Sequence, residues 1–262
     1  MKATILITSF KRPQYLRWHL ESLFDTKNTL VKECRILVLN DGIEDGTERV
    51  AKDFQVDYLF TGQRNVEEMY WRVPGYAFNI GIQRCETETV ILTCAEMFHL
   101  NNSLDEILVP VIDYEWALGT PIVYDDHGPL KEALEQATLI SLEDPIREVK
   151  EQTAIRYKSQ DPLLANEFMP YFLAVRRQRL LDIGGYDEDF TGIGADDNDI
   201  MDRLQASGCQ YTYTRGEVVH LYHGATDFGS LEKDKRYQHN VRLWKDRKGQ
   251  IKRNVGREWG VL

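Results

Sequence analysis

Strand-like and helix-like runs alternate through the first hundred residues of this 262-residue chain, and this alternation constrains the fold more than any other feature. Thr4–Thr8 is apolar and β-branched, and Tyr15–Phe24 follows with Leu16, Leu20, Leu23 and Phe24 at helical spacing. Arg35–Leu39 reads as a second strand, followed by a turn at Asn40–Gly42 and a helix through Val50 and Phe54. Val56–Phe60 is a third strand, Tyr76–Arg84 a helix and Val90–Thr93 a fourth strand. Such a pattern predicts an α/β fold, a Rossmann-like, mainly parallel central sheet with flanking helices. Ligands of such sheets bind beyond the carboxyl ends of the strands. Thr8–Arg12, Asn40–Gly42 and Cys94–Glu96 sit at three such ends.

The pattern weakens from Asp113 to Pro170: Pro121–Tyr124 can form a strand, but Gly128–Lys158 mixes charged and apolar residues without a clear face. An irregular insertion is expected there. Periodicity resumes with a strand at Tyr171–Val175, helices at Arg177–Ile183 and Asp197–Ser207, and strands at Gln210–Thr214 and Val218–Tyr222. There is no repeat, low-complexity segment or linker rich in Pro or Ser. One domain over residues 1–230 is expected, made of a first half (1–100), the insertion (113–170) and a last section (171–230), and then a tail, 231–262.

Composition narrows the class of function. No apolar run approaches the roughly 20 residues that cross a membrane, and MKATILITSF lacks a signal peptide's apolar stretch and cleavage site. Cys34, Cys85, Cys94 and Cys209 form no CxxC pair, so reduced thiols in a cytoplasmic protein are expected. A net charge of −10 argues against nucleic acid as a partner. The charge is uneven: ten Lys or Arg against four Asp or Glu give residues 231–262 about +6 and leave about −16 elsewhere. The tail reads as a helix docking through Tyr237, Val241 and Trp244. A second reading is a basic tail meeting a phosphate-bearing ligand or, peripherally, an anionic membrane surface.

The acids concentrate between Ile183 and Leu204, where there are eight carboxylates counting Asp182 just outside, and no Lys or Arg between Leu180 and Asp202. Asp196 and Asp197 fall where a glycine-containing loop becomes a helix. Asp suits a helix start, since it caps the chain and meets the positive end of the dipole. Packed acids also suit a place that receives a cation, a proton or a sugar hydroxyl.

At the first strand end, Thr8-Ser9-Phe10-Lys11-Arg12-Pro13 offers hydroxyls, backbone amides and an Arg for a nucleotide's base and phosphate. The second strand ends in Leu39-Asn40-Asp41-Gly42, then Asp45-Gly46-Thr47, and Asp41 can accept hydrogen bonds from a ribose or base. Asn79-Ile80-Gly81-Ile82 follows on a helix. In this order the segments resemble the family 2 glycosyltransferases of the GT-A fold. Later, Gly184-Gly185-Tyr186-Asp187-Glu188-Asp189-Phe190 and Gly192-Ile193-Gly194-Ala195-Asp196-Asp197-Asn198-Asp199 resemble the galactosyl- and N-acetylgalactosaminyltransferase branch. The resemblance implies transfer of a sugar from a nucleotide-diphosphate donor, UDP above all, to a carbohydrate or other hydroxyl acceptor. It makes Asp197 the general base and Asp196 the acceptor contact. Thr8, Ser9, Arg12, Asp41, Arg72 and Asn79 would hold the donor.

The family's Asp-x-Asp metal motif is incomplete. Ile91-Leu92-Thr93-Cys94-Ala95-Glu96-Met97 puts a Cys at the first Asp and a Glu at the second, and Mn²⁺ or Mg²⁺ prefers hard oxygen ligands. Glu96 with His220 or His223 is the expected metal set. The aromatic of the family's Gly-Trp-Gly loop is Ile193 here, so sugar stacking at that point is lost. The incomplete motif also keeps open a catalytically impaired sugar-nucleotide-binding protein of the same fold. A nucleotidyltransferase ranks last, because Ser9–Pro13 contains no glycine for a phosphate loop.

Overall fold

All seven residues of strand β1 (Ala3–Ser9) are buried, as expected of a strand covered on both faces. Its alternate side chains divide between two cores: Ile5 and Ile7 face one and Leu6 the other. The computed structural model describes residues 2–25, 28–62, 73–112, 116–118, 123–125, 128–136, 141–156, 171–192, 194–223 and 231–262.

Pro13 at the first position starts helix α1 (Pro13–Phe24), which buries Leu16, Leu20 and Leu23 on the first core. Strand β2 (Cys34–Asn40), helix α2 (Thr47–Asp53), strand β3 (Asp57–Phe60), helix α3 (Pro74–Arg84) and strand β4 (Thr89–Cys94) complete the alternation. Two elements absent from the sequence reading follow, strand β5 (Met97–His99) and helix α4 (Ser103–Leu108). Both are too short for a period to stand out.

Strands β6 (Trp116–Leu118) and β7 (Val123–Tyr124) fall in the segment expected to be irregular, and so do helices α5 (Pro129–Gln136) and α6 (Glu143–Arg156). The expectation of irregularity from Gly128 to Lys158 is therefore corrected, since two helices occupy most of it. Their apolar stripes are narrow, with Leu130 and Val149 buried beside Trp18, Val219 and Leu221. The first turn of α5 is capped by Asp125, whose carboxylate accepts from the N–H groups of Leu130 at 3.1 Å and Lys131 at 3.0 Å.

The chain closes with strand β8 (Phe172–Arg176), helices α7 (Arg177–Asp182) and α8 (Asp196–Ala206), strands β9 (Tyr211–Tyr213) and β10 (Val218–His220), and helix α9 (Leu231–Asp246). The seven-stranded sheet has the order β3-β2-β1-β4-β8-β6-β9, and β5-β10-β7 forms a smaller one. β8 runs antiparallel to β4 and β6, while the other pairings of the large sheet are parallel. The fold is the mixed, mainly parallel α/β sheet with flanking helices expected from the sequence. Among the described residues no helix is long and apolar enough to cross a membrane.

Candidate active site

Parallel register brings the carboxyl ends of the first four strands to one rim. Ser9 lies opposite Asn40, Asn40 opposite Phe60, and Thr8 opposite Cys94. The Ser9 and Thr47 hydroxyls are 3.3 Å apart, and the buried Asp41 carboxylate accepts from Thr61 Oγ1 at 2.8 Å. Asn40 donates to the Ile43 carbonyl at 2.7 Å and to the Tyr58 hydroxyl at 3.0 Å, fixing the turn that carries Asp41. Thr8 is buried beside them.

Beyond β4 the chain turns at Ala95 into β5, which pairs antiparallel with β10 and sets His220 opposite Met97. The Leu221 N–H donates to the Glu96 carbonyl at 2.9 Å, extending the pairing past the strands. Glu96 and the 220–223 segment are thereby brought together. The Arg12 guanidinium, entering from the start of α1, forms an ion pair with buried Glu96 through Nη1. Its Nη2 lies 3.1 Å from His223 Nδ1. The His220 and His223 rings stand 5.1 Å apart, with Tyr171 at 5.1 Å on the other side of His220. Burial is the main cause that pushes His220 down to about 3, and the neighbouring His223 and the Arg12 guanidinium add to it. Burial pushes the Cys94 thiol up to about 12, with Arg12 opposing and Asp197 adding to the rise. Cys94 is therefore where the strand rim meets the acidic helix.

Behind this rim, His19 and His99 form a hydrogen-bonded line that the sequence reading did not find. His19 Nδ1 lies 3.0 Å from the Cys94 carbonyl, the two Nε2 atoms lie 3.5 Å apart, and His99 Nδ1 is 2.6 Å from Ser103 Oγ. Since Nδ1 of His19 must donate to a carbonyl, its Nε2 accepts, which makes His99 Nε2 the donor and leaves its Nδ1 to accept from Ser103. Both rings are thus neutral, and burial holds His19 down at about 4 and His99 well below its ordinary value.

On the opposite side the acidic segment separates into two groups. The tail expected to be a docked helix does dock, through Val241, Leu243 and Trp244 against Val73, Phe190 and Ala195. Tyr237 stays 41% exposed, but its ring also reaches the body and lies against Gly194. The tail also supplies counter-charges. Arg247 pairs with Asp187 and with Asp189 at 2.7 Å, and Arg253 with Asp187 at 2.9 Å and Asp199 at 2.7 Å. Arg257 meets Asp189 at 2.7 Å, and Trp244 Nε1 donates to Asp202 at 2.9 Å. Glu188 accepts from Asn79 at 3.0 Å and from the Gly260 N–H at 2.8 Å. Asp199 is also held by Arg203 on its own helix, at 2.7 Å.

Asp196 and Asp197 are left out of this network, and among the described residues neither has an ion pair. Burial pushes Asp196 up to about 6, neighbouring Asp199 adds to the rise, and the N–H groups of Asp197 and Gly75 pull against it. Its Oδ2 is buried without a hydrogen-bond partner among the described residues. Burial raises Asp197 well above the usual carboxylate range, and the charge of Asp196 adds to this. Asp197 is half-buried and so more accessible than Asp196. The backbone entering this pair is strained, with Ala195 at φ 67° immediately before the helix. Tyr186 lies fully buried behind the pair. Gly75 at the start of α3 is required there, because a Cβ would sit 2.3 Å from the Tyr186 ring.

Of the residues proposed from sequence, Thr8, Ser9, Asp41, Arg12, Glu96, His220, His223, Asp196 and Asp197 lie along these two facing edges. Asn79, expected among the donor-holding residues, has a different set of partners in the fold. Both ends of its buried amide brace the 186–188 turn, accepting from Tyr186 N at 2.8 Å and donating to Tyr186 O at 2.9 Å. Arg72 and Ile193 lie outside the described residues.

The profile of the family described as "Glycosyltransferase like family 2" matches residues 6–228. The chain belongs to this family. No curated protein sequence matches it significantly. Solved structures similar to this family 2 glycosyltransferase-like chain share its fold. One is S. aureus TarS 1-349 in complex with UDP-GlcNAc, at TM-score 0.59 and 13% identity over 97% of this chain and 68% of that one. Another is the same protein in complex with UDP, at TM-score 0.51 and 15% identity over 84% of this chain and 57% of that one. The present chain thus spans little more than half of the latter. A third is glucosyl-3-phosphoglycerate synthase from Mycobacterium tuberculosis with Mn²⁺, UDP and phosphoglyceric acid, at TM-score 0.57 and 14% identity over 93% of this chain and 78% of that one.

A divalent metal is expected of the family, and the donor set here does not fit one. Glu96 is the one hard oxygen donor among the expected ligands, and its carboxylate is paired with a guanidinium. His223 presents Nδ1 to the same guanidinium, and Cys94 supplies sulfur where an oxygen is wanted. Among the described residues no group of three His, Cys, Asp or Glu is disposed to hold a metal.

Proposed function

We propose that this family 2 glycosyltransferase inverts configuration as it moves a sugar from a nucleoside-diphosphate donor, UDP by preference, to an acceptor hydroxyl. One observation carries the reading: Asp196 and Asp197 stand side by side at the start of α8 with no ion pair among the described residues, burial raises both carboxyls, and Asp197 lies near enough to act on Cys94 at the strand-end rim. UDP and UDP-GlcNAc in the similar TarS structures support the choice of donor.

The rim residues Thr8, Ser9 and Asp41 hold the nucleoside, and Arg12 meets the diphosphate. Asp196, whose free oxygen accepts a hydrogen bond, orients the acceptor. Asp197 takes the proton of the acceptor hydroxyl as that oxygen attacks the anomeric carbon from the face opposite the diphosphate. The new carbon–oxygen bond forms as the bond to the diphosphate breaks, its electron pair leaving on UDP. A carboxylate raised above its usual range by burial and by a like charge is closer to working pH and is the stronger base. No step requires a metal ion. Arg247, Arg253 and Arg257 are engaged by the protein's own acids, and a membrane contact through the tail forms no part of the proposal.

A panel of UDP-sugars incubated with the purified full chain tests the reading. At least one should be bound and slowly hydrolysed to UDP without acceptor. Absence of both binding and UDP release across the panel would overturn it.

A further inference from the structure

The two side chains best placed to give lone pairs to a metal give them instead to Arg12. Nη1 of the guanidinium pairs with the Glu96 carboxylate, and Nη2 lies 3.1 Å from His223 Nδ1. A guanidinium has no acceptor capacity, so His223 Nδ1 accepts and its ring is neutral, with the proton on Nε2. The pairing is built into the fold. Arg12 is fixed by its place at the entry of α1, whose Tyr15 hydroxyl donates to the Tyr222 carbonyl at 2.8 Å beside His223. Glu96 is placed by the β5–β10 pairing and its extension through the Leu221 N–H to the Glu96 carbonyl, and His223 follows two residues later. A divalent ion entering between Glu96 and His223 would have to displace a permanently charged group or lie against it.

We propose that Arg12 takes the place of the divalent metal in this chain: its guanidinium, steadied by Glu96 and His223, is the resident cation for the donor's diphosphate, and donor binding is independent of metal. The inference rests on the donor reading above. A guanidinium has five N–H donors, and among the described residues Glu96 and His223 engage two of them, which leaves others to meet phosphate oxygens. As the anomeric bond breaks, the charge that develops on the diphosphate falls next to Arg12, which needs no ion brought from solution. Glu96 then positions a cation, whereas in a metal site it would coordinate one.

Calorimetry on the full chain separates the alternatives, using UDP and uridine as probes, each with EDTA and with Mn²⁺. The expected result is a UDP Kd that agrees within about twofold in the two buffers. Arg12→Ala should weaken UDP tenfold or more while leaving uridine unchanged, with Arg12→Lys restoring part of the loss. A UDP affinity raised more than threefold by Mn²⁺ would overturn the proposal and leave the donor reading intact. Loss of UDP and uridine alike in Arg12→Ala, or of neither, would also overturn it. If UDP binds in neither buffer, the donor reading fails and this inference fails with it.

Discussion

The two facing edges of the site are polar for opposite reasons. At the ends of β2 and β3 on the strand rim, polar contacts are few and follow the sheet: Asp41 meets Thr61 and Asn40 meets Tyr58, partners carried by adjacent strands in parallel register. Along the acidic edge, charge is dense and its neutralisation is remote, because the arginines that hold Asp187, Asp189 and Asp199 arrive from a tail some 60 residues downstream. The rim is therefore a product of strand topology and the acidic edge a product of charge matching. What identifies Asp196 and Asp197 is that burial raises both carboxyls while no cation among the described residues pairs with either.

Breaking the matched charges should have the largest effect. Arg253→Ala leaves Asp187 and Asp199 buried with fewer partners and should cost about 3–5 kcal/mol. Denaturant melts measure this, and a loss near zero would show that the tail does not hold the acids. On the rim side, His19 is buried neutral at about 4 against an unfolded value near 6.5. The unfolded chain binds its proton first, so this group lowers stability as pH falls from about 6.5 to about 4. His19→Gln should therefore gain on the wild type by about 3 kcal/mol between pH 7 and pH 4. A difference between the two that does not change with pH would refute the buried neutral ring.

Asp196 carries the opposite sign. Its folded pKa is raised to about 6, so its favourable contribution is complete below about pH 4 and is lost as pH rises through about 6. Asp196→Asn should stabilise the fold by about 1–3 kcal/mol at pH 7, an advantage that vanishes near pH 4. Equal or lower stability of the variant at pH 7 would show that Asp196 is already compensated. The exposed Arg35–Asp57 pair, 2.6 Å apart at the edge of the sheet, gives the baseline. Arg35→Ala should cost less than about 1 kcal/mol in the same melts, and a larger loss would blur the contrast between buried and surface charge.

The same division explains what was legible in the sequence. β1, β2 and β4 announced themselves as short apolar runs and α1 through its helical spacing, and the rim at Ser9, Asn40 and Cys94 followed from topology alone. Helices α5 and α6 did not, because Leu130 and Val149 form stripes too narrow to mark a face among charged neighbours. Asp196 and Asp197 could be named by resemblance, but their isolation could not be read, since it depends on where Arg247, Arg253 and Arg257 arrive in space. Glu96 and Arg12 were both singled out for separate tasks. Their pairing depends on the approach of α1 to the turn after β4, which no local pattern encodes.

The claim that the unmatched acids do the chemistry is tested most directly by Asp197→Asn in a UDP-release assay with an accepted donor and acceptor. Turnover should fall about 10²–10⁴-fold while UDP affinity stays within about twofold. Turnover within tenfold of the wild type would contradict the account.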